Sequence, residues 1–541
     1  MQKYKGNIVD IMNKKIYPGV VKVQNGKIHQ IAKSGEEYDR YIIPGFIDSH
    51  IHIESTMLTP TEFARIAVQH GTVAAICDPH EIANVMGVSG IDYMIDNSRK
   101  SPFKFYFSAP SCVPATELEA SGAKIGPEEV ESLFQEYPEI KFLGEMMNYP
   151  GVVNDDPEVM RKIEIANEYN KPIDGHAPGL RGDDLEKYVA VGVSTDHECT
   201  SKEEALRKLK LGMTILIREG SAAKNFDELI QLADEHYKYM AFCTDDQHPD
   251  DLVNGHINEL VRRAIVKGLD PIKVFRMATL NPVKHYNLDV GLLRKNDPAD
   301  FLIVDNLKSL DIQATVINGN FIFEDGVSVI QPVIPNEINK FEVKPKQPDD
   351  FIVPAKNGLI DVIEAQDGKL ITNRMQVEPK ILNHKIVSDS ERDILKITLI
   401  NRYKDREPVV AFVKNFGLKK GAIASSVAHD SHNILAVGVT DEDITEAINR
   451  VINNKGGLSA VCTDDDIAET LALPIAGLMS ARDYSEVASK YKELDQLAGE
   501  FGSTLRSPFM TLSFMALLVI PEIKLGSEGL FDVTNFEYIK K

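Results

Sequence analysis

The feature that most constrains this chain is a run of eight short apolar segments through its middle, separated by helical stretches. The segments are IIPGFID, TVAAICD, KFYFSAP, KFLGEM, KPIDGHA, VSTDHE, MTILIREG and MAFCTDD. Between them lie amphipathic stretches such as TEFARIAVQH, PEVMRKIEIANEY, KEEALRKLK and FDELIQLADEHY. Parallel strands need crossover connections, and eight strand–helix units over roughly 240 residues are what a (β/α)8 TIM-like barrel requires. A doubly wound sheet is the structural rival, but no GxGxxG opens a helix after the first strand. The chain reads as α/β, with the barrel over 44–285.

Strand-like pieces flank that region. NIVDI and VVKV, an Asn25-Gly26 turn and KIHQIA precede it; FLIVD after Asp297-Pro298, then TVINGNFIF with Asn318-Gly319, follow it. Asn-Gly between alternating apolar runs is a strong hairpin signal. The two pieces, 1–43 and 286–345, are expected to form one small β-sandwich domain. KPKQPDDFIVPAKN reads as a linker, and 346–541 reads as a C-terminal α/β domain.

Composition narrows the function. The 541 residues carry 60 Lys plus Arg against 81 Asp plus Glu, a formal charge of −21. A surface this acidic repels phosphates, so a broad nucleic-acid interface is excluded while a local basic pocket is not. The start, MQKYKGNIVDIMNKK, has no apolar stretch of a secretory leader. The longest apolar run, near Phe509 to Ile520, is too short for a membrane span of roughly 20 residues. Five scattered cysteines without CxxC spacing fit neither a disulfide framework nor a zinc ribbon. A cytoplasmic location follows from this reading, away from membranes.

The chemistry lies at strand ends. The first barrel strand finishes in Asp48-Ser49-His50-Ile51-His52, and residues two apart on a strand share a side. His50 and His52 thus aim together at the rim where barrel enzymes keep their active sites, and an imidazole pair suits a divalent transition metal. Alone, an HxH is equally well read as two ordinary rim histidines. Strand four, however, ends at Glu145, strand five at His176, strand six at His197 and strand eight at Asp245, followed by Asp246. Read singly, Glu145 could be a rim salt-bridge partner and His176 a satisfied core histidine. Together the set offers four imidazoles and two carboxylates, more than one ion can use. It fits two ions bridged by the strand-four carboxylate with a hydroxide between them.

This pattern resembles the amidohydrolase superfamily, with HxH on strand one, a bridging Lys or Glu on strand four, His on strands five and six, and Asp on strand eight. His50, His52, Glu145, His176, His197 and Asp245 match it position by position, and the resemblance favours Asp245 over Asp246. Lys141 lies a full strand-length before Glu145, so a carboxylated lysine is not expected. A narrower resemblance covers nearly the whole chain. IDSHIHIESTMLTPTEFA, CDPHEIANVMG, HAPG, STDHE, AHDSHNILAVGV and LPIAGLMSAR are similar to motifs of the bacterial and archaeal adenine deaminase family. It implies hydrolytic deamination of adenine to hypoxanthine and ammonia, two divalent ions with manganese first and iron or zinc as alternatives, and a homodimer. Asp245 is suited to accept the proton of the attacking hydroxide and pass it to the leaving amine.

Secondary candidates carry bland readings beside functional ones. Glu54, two past His52, is expected to share its face, and could bond the purine or donate to its ring, or be a supporting or rim charge. His80 and Glu81 follow Asp78-Pro79, which is equally economical as a turn. Glu219 could read a base edge, or belong to charge pairing with Arg218. His429, Asp430, His432 and Asn433 could close over the pocket. Two rival functions stand against the main one. HIE at 52–54 spells the HxE of zinc cytidine and tRNA adenosine deaminases, but their PCxxC is missing from the sequence. A barrel amide hydrolase, such as an N-acetyl amino-sugar deacetylase, also resembles the strand-four Glu pattern but needs a basic group for a sugar phosphate. A non-catalytic barrel scaffold would be expected to have lost ligands.

Overall fold

The computed structural model describes residues 1–539. Eight parallel strands run β1 (Phe46–Ile51), β2 (Thr72–Cys77), β3 (Lys104–Ala109), β4 (Ile140–Met146), β5 (Ile173–Gly175), β6 (Thr195–Asp196), β7 (Thr214–Arg218) and β8 (Met240–Cys243). β1 to β5 pair in chain order, as do β6 to β8. Parallel bridges Ile173–Val193 and Ile51–Asp245 join the two arcs. At the second junction the Asp245 N–H donates to His50 O (2.9 Å) and the His52 N–H to Asp245 O (3.2 Å). The ring is a TIM-like barrel, and the seam that closes it runs through three of the candidate ligands.

The strands form because they are covered on both sides. Every residue of β1, β2 and β8 is buried, as expected for parallel sheet lined by side chains within and helices without. The outer helices carry one apolar stripe each. Helix Ile257–Val266 buries Ile257, Leu260, Val261 and Ala264, the i, i+3, i+4, i+7 set of a single face. Helix Pro157–Glu168 is started by Asp156, whose side chain accepts from the N–H groups of Glu158 and Val159.

The first apolar segment is not one strand. Tyr41–Pro44 pairs with Gln2–Asp10 and Phe301–Val304 in a separate sheet, and only Phe46–Ile51 enters the barrel. The changeover is at Gly45, where a Cβ would meet Val73 Cγ1 at 2.4 Å, so the chain can cross against β2 only without a side chain. That separate sheet has eight strands, drawn from Gln2–Pro44 and Phe301–Ser328, and encloses Tyr4, Ile8, Val21, Ile42, Phe301 and Val316. Its hairpin turns at Asn25-Gly26 and Asn318-Gly319 have both residues at positive φ, the geometry that Asn-Gly favours.

The C-terminal part is built on an eight-stranded, mostly antiparallel sheet with Ile394–Ile400 and Ile434–Gly438 at its centre. Helix Asp441–Asn453 covers one face through Ile444, Ala447, Ile448 and Val451. The stretch expected to be a linker is packed instead: Phe351 is fully buried, and Lys396 Nζ donates to its carbonyl (3.0 Å). One apolar cluster includes Met57, Val85 and Met147 of the barrel with Tyr403, Val427 and Phe509 of the C-terminal part. The two are therefore docked through a shared core, over the barrel's C-terminal mouth. No helix among the described residues is long and apolar enough to cross a membrane.

Candidate active site

Five strand ends converge at that mouth. His50 Nε2 and His52 Nε2 lie 3.2 Å apart, at 3.4 and 3.1 Å from Asp245 Oδ1. Glu145 sits opposite: Oε1 is 3.3 Å from His52 Nε2, while Oε2 is 2.7 Å from His176 Nδ1 and 3.1 Å from His197 Nε2. One Glu145 carboxylate thus spans from the strand-one histidines to those of strands five and six. His50 and His197 stack, ring centroids 4.2 Å apart.

Beneath these groups is a layer of buried acids. The Asp78 carboxylate accepts from Ser108 Oγ (2.7 Å) and from the Glu145 N–H (2.8 Å), and its carbonyl accepts from His52 Nδ1 (2.9 Å). That last bond leaves His52 Nε2 with its lone pair toward the site. Asp48 accepts from the His50 N–H and Thr244 N–H and meets His256 Nε2 at 2.9 Å. Asp174 accepts from Thr195 and Tyr286, and Asp196 accepts from the Ala177 and Glu198 N–H groups. Gly144 is required here, because a Cβ would meet Asp78 Oδ2 at 2.5 Å. Arg218 reaches in from β7, bonding Glu198 and, at 2.7 Å, Asp245 Oδ2.

Each charge state has a visible cause. Burial would raise the Glu145 carboxyl, but His176, His197 and His52 outweigh it and hold it well below the usual range. Asp245 behaves likewise, with Arg218, His50 and His52 outweighing burial. Burial would lower His52; Asp245 and Glu145 drive it well above its ordinary value instead. An acceptor-rich cluster that attracts positive charge onto its imidazoles is suited to divalent cations. Trios such as His50–His52–Asp245, His50–Glu145–His197 and His176–His197–Glu198 each bring ligand atoms within 4.8 Å of one another. His197 Nε2 is buried without a hydrogen-bond partner, and an ion would occupy that direction.

The C-terminal part roofs the mouth. Glu81 bonds His429 Nδ1 and His432 Nε2 through its two oxygens. The Ala428 N–H donates to His432 Nδ1 (3.2 Å), which fixes a neutral tautomer, and burial pushes that ring down to about 4. His429 is opposed by burial but taken up to about 9 by Glu81 and Asp246, and it stacks on Phe514 at 4.5 Å. Between roof and rim is a cavity lined by His52, Glu145, His176 and Asp245 below, and by Leu370, His429, Asp430, Phe514, Leu517 and Ile520 above. Its volume is about 30 Å³, roughly the room of one water, so any larger ligand displaces and touches the roof.

The remaining sequence candidates divide. His80 and Glu81 line the cavity, as does Asp246, whose carboxylate accepts from Ser55 Oγ. Asp245 and Asp246 do not face opposite sides: β8 ends at Cys243, and Asp245 adopts a φ of 58°, so strand alternation no longer applies. Glu54 does not share the His52 face, because the chain turns into a 3-10 helix over Ile53–Thr56. Its Oε1 accepts from the Ile82 N–H, and burial pushes the carboxyl up to about 7. Glu219 points away from the cavity to Arg263 Nη1 at 2.7 Å, and Arg218 pairs elsewhere. Asn433 bonds the Ala120 carbonyl behind the roof. The sequence assigns no site role to Asp48, Asp174, Asp196 or Glu198, and offers Arg218 only as a charge partner of Glu219. Asp48 and Asp174 each precede a candidate ligand by two, the spacing that puts them on its side of a strand.

Comparison with known proteins agrees with this arrangement. Residues 41–322 match the amidohydrolase family model, and 369–537 match the adenine deaminase C-terminal domain. A protein of Sulfurovum sp. named adenine deaminase is 53% identical over 99% of this chain and 98% of its own length. One from Methanosarcina mazei with the same name is 52% identical over 100% of this chain and 99% of its own. A Borreliella burgdorferi protein, again so named, is 48% identical over 99% of each.

Proposed function

The chain belongs to the adenine deaminase family of amidohydrolases, and from that premise we propose how its rim residues divide the work of turning adenine and water into hypoxanthine and ammonia. The enzyme is a metal-dependent hydrolase. We assign His50, His52, His176, His197, Glu145 and Asp245 as ligands of two divalent cations, manganese first, with iron or zinc as alternatives. The observation that carries this is Glu145, whose Oε1 faces His52 while its Oε2 faces His176 and His197. When bound, such cations lower the pKa of water far enough to supply a nucleophile at neutral pH.

The chain's own groups supply the rest. Asp245 has one oxygen held by Arg218 and the other aimed at the histidines. Kept as a carboxylate, it takes a proton from the attacking water and returns it to the departing amine. Arg218 fixes its orientation. The Asp78 backbone carbonyl holds the His52 tautomer and its carboxylate holds the Glu145 backbone, so that these donors are set before substrate arrives. The roof excludes bulk water from the developing charge. The five cysteines are free and buried, which suits a reducing cytosol.

The amino-sugar deacetylase reading lacks its anchor. Among the described residues, Arg218 is the single Arg or Lys lining the cavity, and Glu198 and Asp245 already engage it. The test is elemental analysis of purified protein alongside ammonia release from adenine and from N-acetylglucosamine 6-phosphate. About two ions per chain and release from adenine alone are expected. Metal-free active protein would overturn the ligand assignment.

A further inference from the structure

Among the described residues, Asp430 is a polar group that the roof places on the cavity with an oxygen that has nothing to bond. Asp430 is 2% exposed, lines the cavity, and has Oδ2 without a hydrogen-bond partner. Burial and Glu81 push its carboxyl up to about 7, and Glu119, whose Oε2 is likewise buried without a partner, repels it as a second acid. Its neighbours on the cavity are spent. Both Glu81 oxygens are taken by His429 and His432, and the His429 ring is held between Glu81 and Phe514. The other residues that the roof places on the cavity are apolar: Leu370, Phe514, Leu517 and Ile520. Leaving a buried carboxylate oxygen unpaired is costly, and the cost is removed when a ligand supplies a donor.

The reaction fixes which donor. Adenine must present C6 and its exocyclic amine to the metal-ligand end, where His52, Glu145 and Asp245 lie. Its imidazole ring then faces the roof. A carboxylate only accepts hydrogen bonds, and the free base has one further donor, the imidazole-ring N–H. We propose that Asp430 accepts that N–H and thereby selects free adenine over purines substituted on the ring nitrogen. The inference rests on the assigned reaction and adds a specificity-determining residue to it. An N9 substituent would remove that donor and leave the Asp430 oxygen stranded.

The strength expected of such a device is large. A site built around a substrate N–H rejects an analogue lacking it by about 10⁴-fold, because the site's polar atom is then stranded. Rejection by bulk alone would not depend on the chemistry of residue 430.

The experiment compares kcat/KM for adenine and 9-methyladenine in the metal-loaded enzyme and in Asp430→Asn and Asp430→Ala, with metal content and Tm recorded for each. Ammonia release from adenine by the unaltered enzyme tests the underlying reaction separately. That enzyme is expected to prefer adenine by about 10⁴-fold. Asp430→Asn keeps the size but replaces the anionic acceptor by a neutral amide, which strands no charge against 9-methyladenine, so the preference should shrink by at least about 100-fold. Comparable use of the two purines by the unaltered enzyme would overturn the proposal without recourse to any variant. So would a preference left unchanged in a folded, metal-loaded Asp430→Asn, which would assign the selection to shape alone.

Discussion

Asp78 Oδ2 accepts a 2.8 Å hydrogen bond from the backbone N–H of Glu145, tying the end of β2 to the carboxylate that faces four imidazoles. The other Asp78 oxygen takes Ser108 Oγ. Asp78→Asn leaves one acceptor oxygen for two donors and turns an amide N–H₂ toward one of them. A positioning group of this kind is worth about 10- to 100-fold in metal affinity. Metal titration of the variant should show that loss, with secondary structure unchanged by circular dichroism. Unaltered affinity would mean that the strand, not the acid, sets the Glu145 backbone.

Glu145 itself is the shared group. Glu145→Gln removes one anionic oxygen and presents an amide N–H₂ where the two cations need an anionic ligand. Turnover should fall by at least about 10³-fold, as for loss of a group acting in the transition state. Bound metal should fall with it, toward one ion per chain or none. Near-normal ammonia release from adenine would remove Glu145 from the ligand set.

Much of this site is legible in the sequence because a barrel strand has a simple grammar: apolar residues, then one polar residue where the strand gives out. His50, Glu145, His176 and His197 each stand at such a boundary, and the structure brings all of them within one cluster. The supporting acids share the spacing, but a lone Asp near a strand end is as easily read as a turn former. Glu54 was misplaced because period-two reasoning was carried past the strand into a 3-10 turn. Glu219 lies just beyond β7, where the direction of the side chain follows from Arg263 on a distant helix rather than from local pattern. The Glu81 pairing with His429 and His432 joins residues about 350 positions apart, and no local periodicity encodes which domain faces docks on which.

That pairing is a latch between barrel and roof. Burial would raise the Glu81 carboxyl, but His429, His432 and His80 hold it well below the usual range, so it is anionic across neutral pH. Glu81→Ala leaves His429 as a buried imidazole without its counter-charge, a defect on the order of 3–5 kcal/mol. Tm should drop by several degrees. Because the roof is loosened, KM for adenine should rise by at least about tenfold (one RT ln 10 step of 1.4 kcal/mol) and protease cleavage near His429 should accelerate. A variant with unchanged KM and unchanged cleavage would show that the apolar core alone holds the roof.

The same domain seam contains a strained acid far from the chemistry. Asp495, on the helix Tyr484–Glu500, faces Asp250 and Asp251 across the seam, and its Oδ1 is buried without a partner. Burial, then repulsion from those two carboxylates, pushes it up to about 7, and burial with Asp251 pushes Asp250 to about 6. The folded pKa lies above the unfolded value of about 3.9, so the folded state binds the extra proton between those limits. Its contribution to stability is therefore greatest at low pH and is lost as pH rises through about 7. Asp495→Asn removes the charge at every pH. Relative to the unaltered enzyme, its Tm should be higher by a few degrees at pH 8, by clearly less at pH 5, and nearly equal only toward pH 4, read by scanning calorimetry at each value. A gain that is the same at every pH would mean that the benefit comes from packing, and that Asp495 does not carry a disfavoured charge.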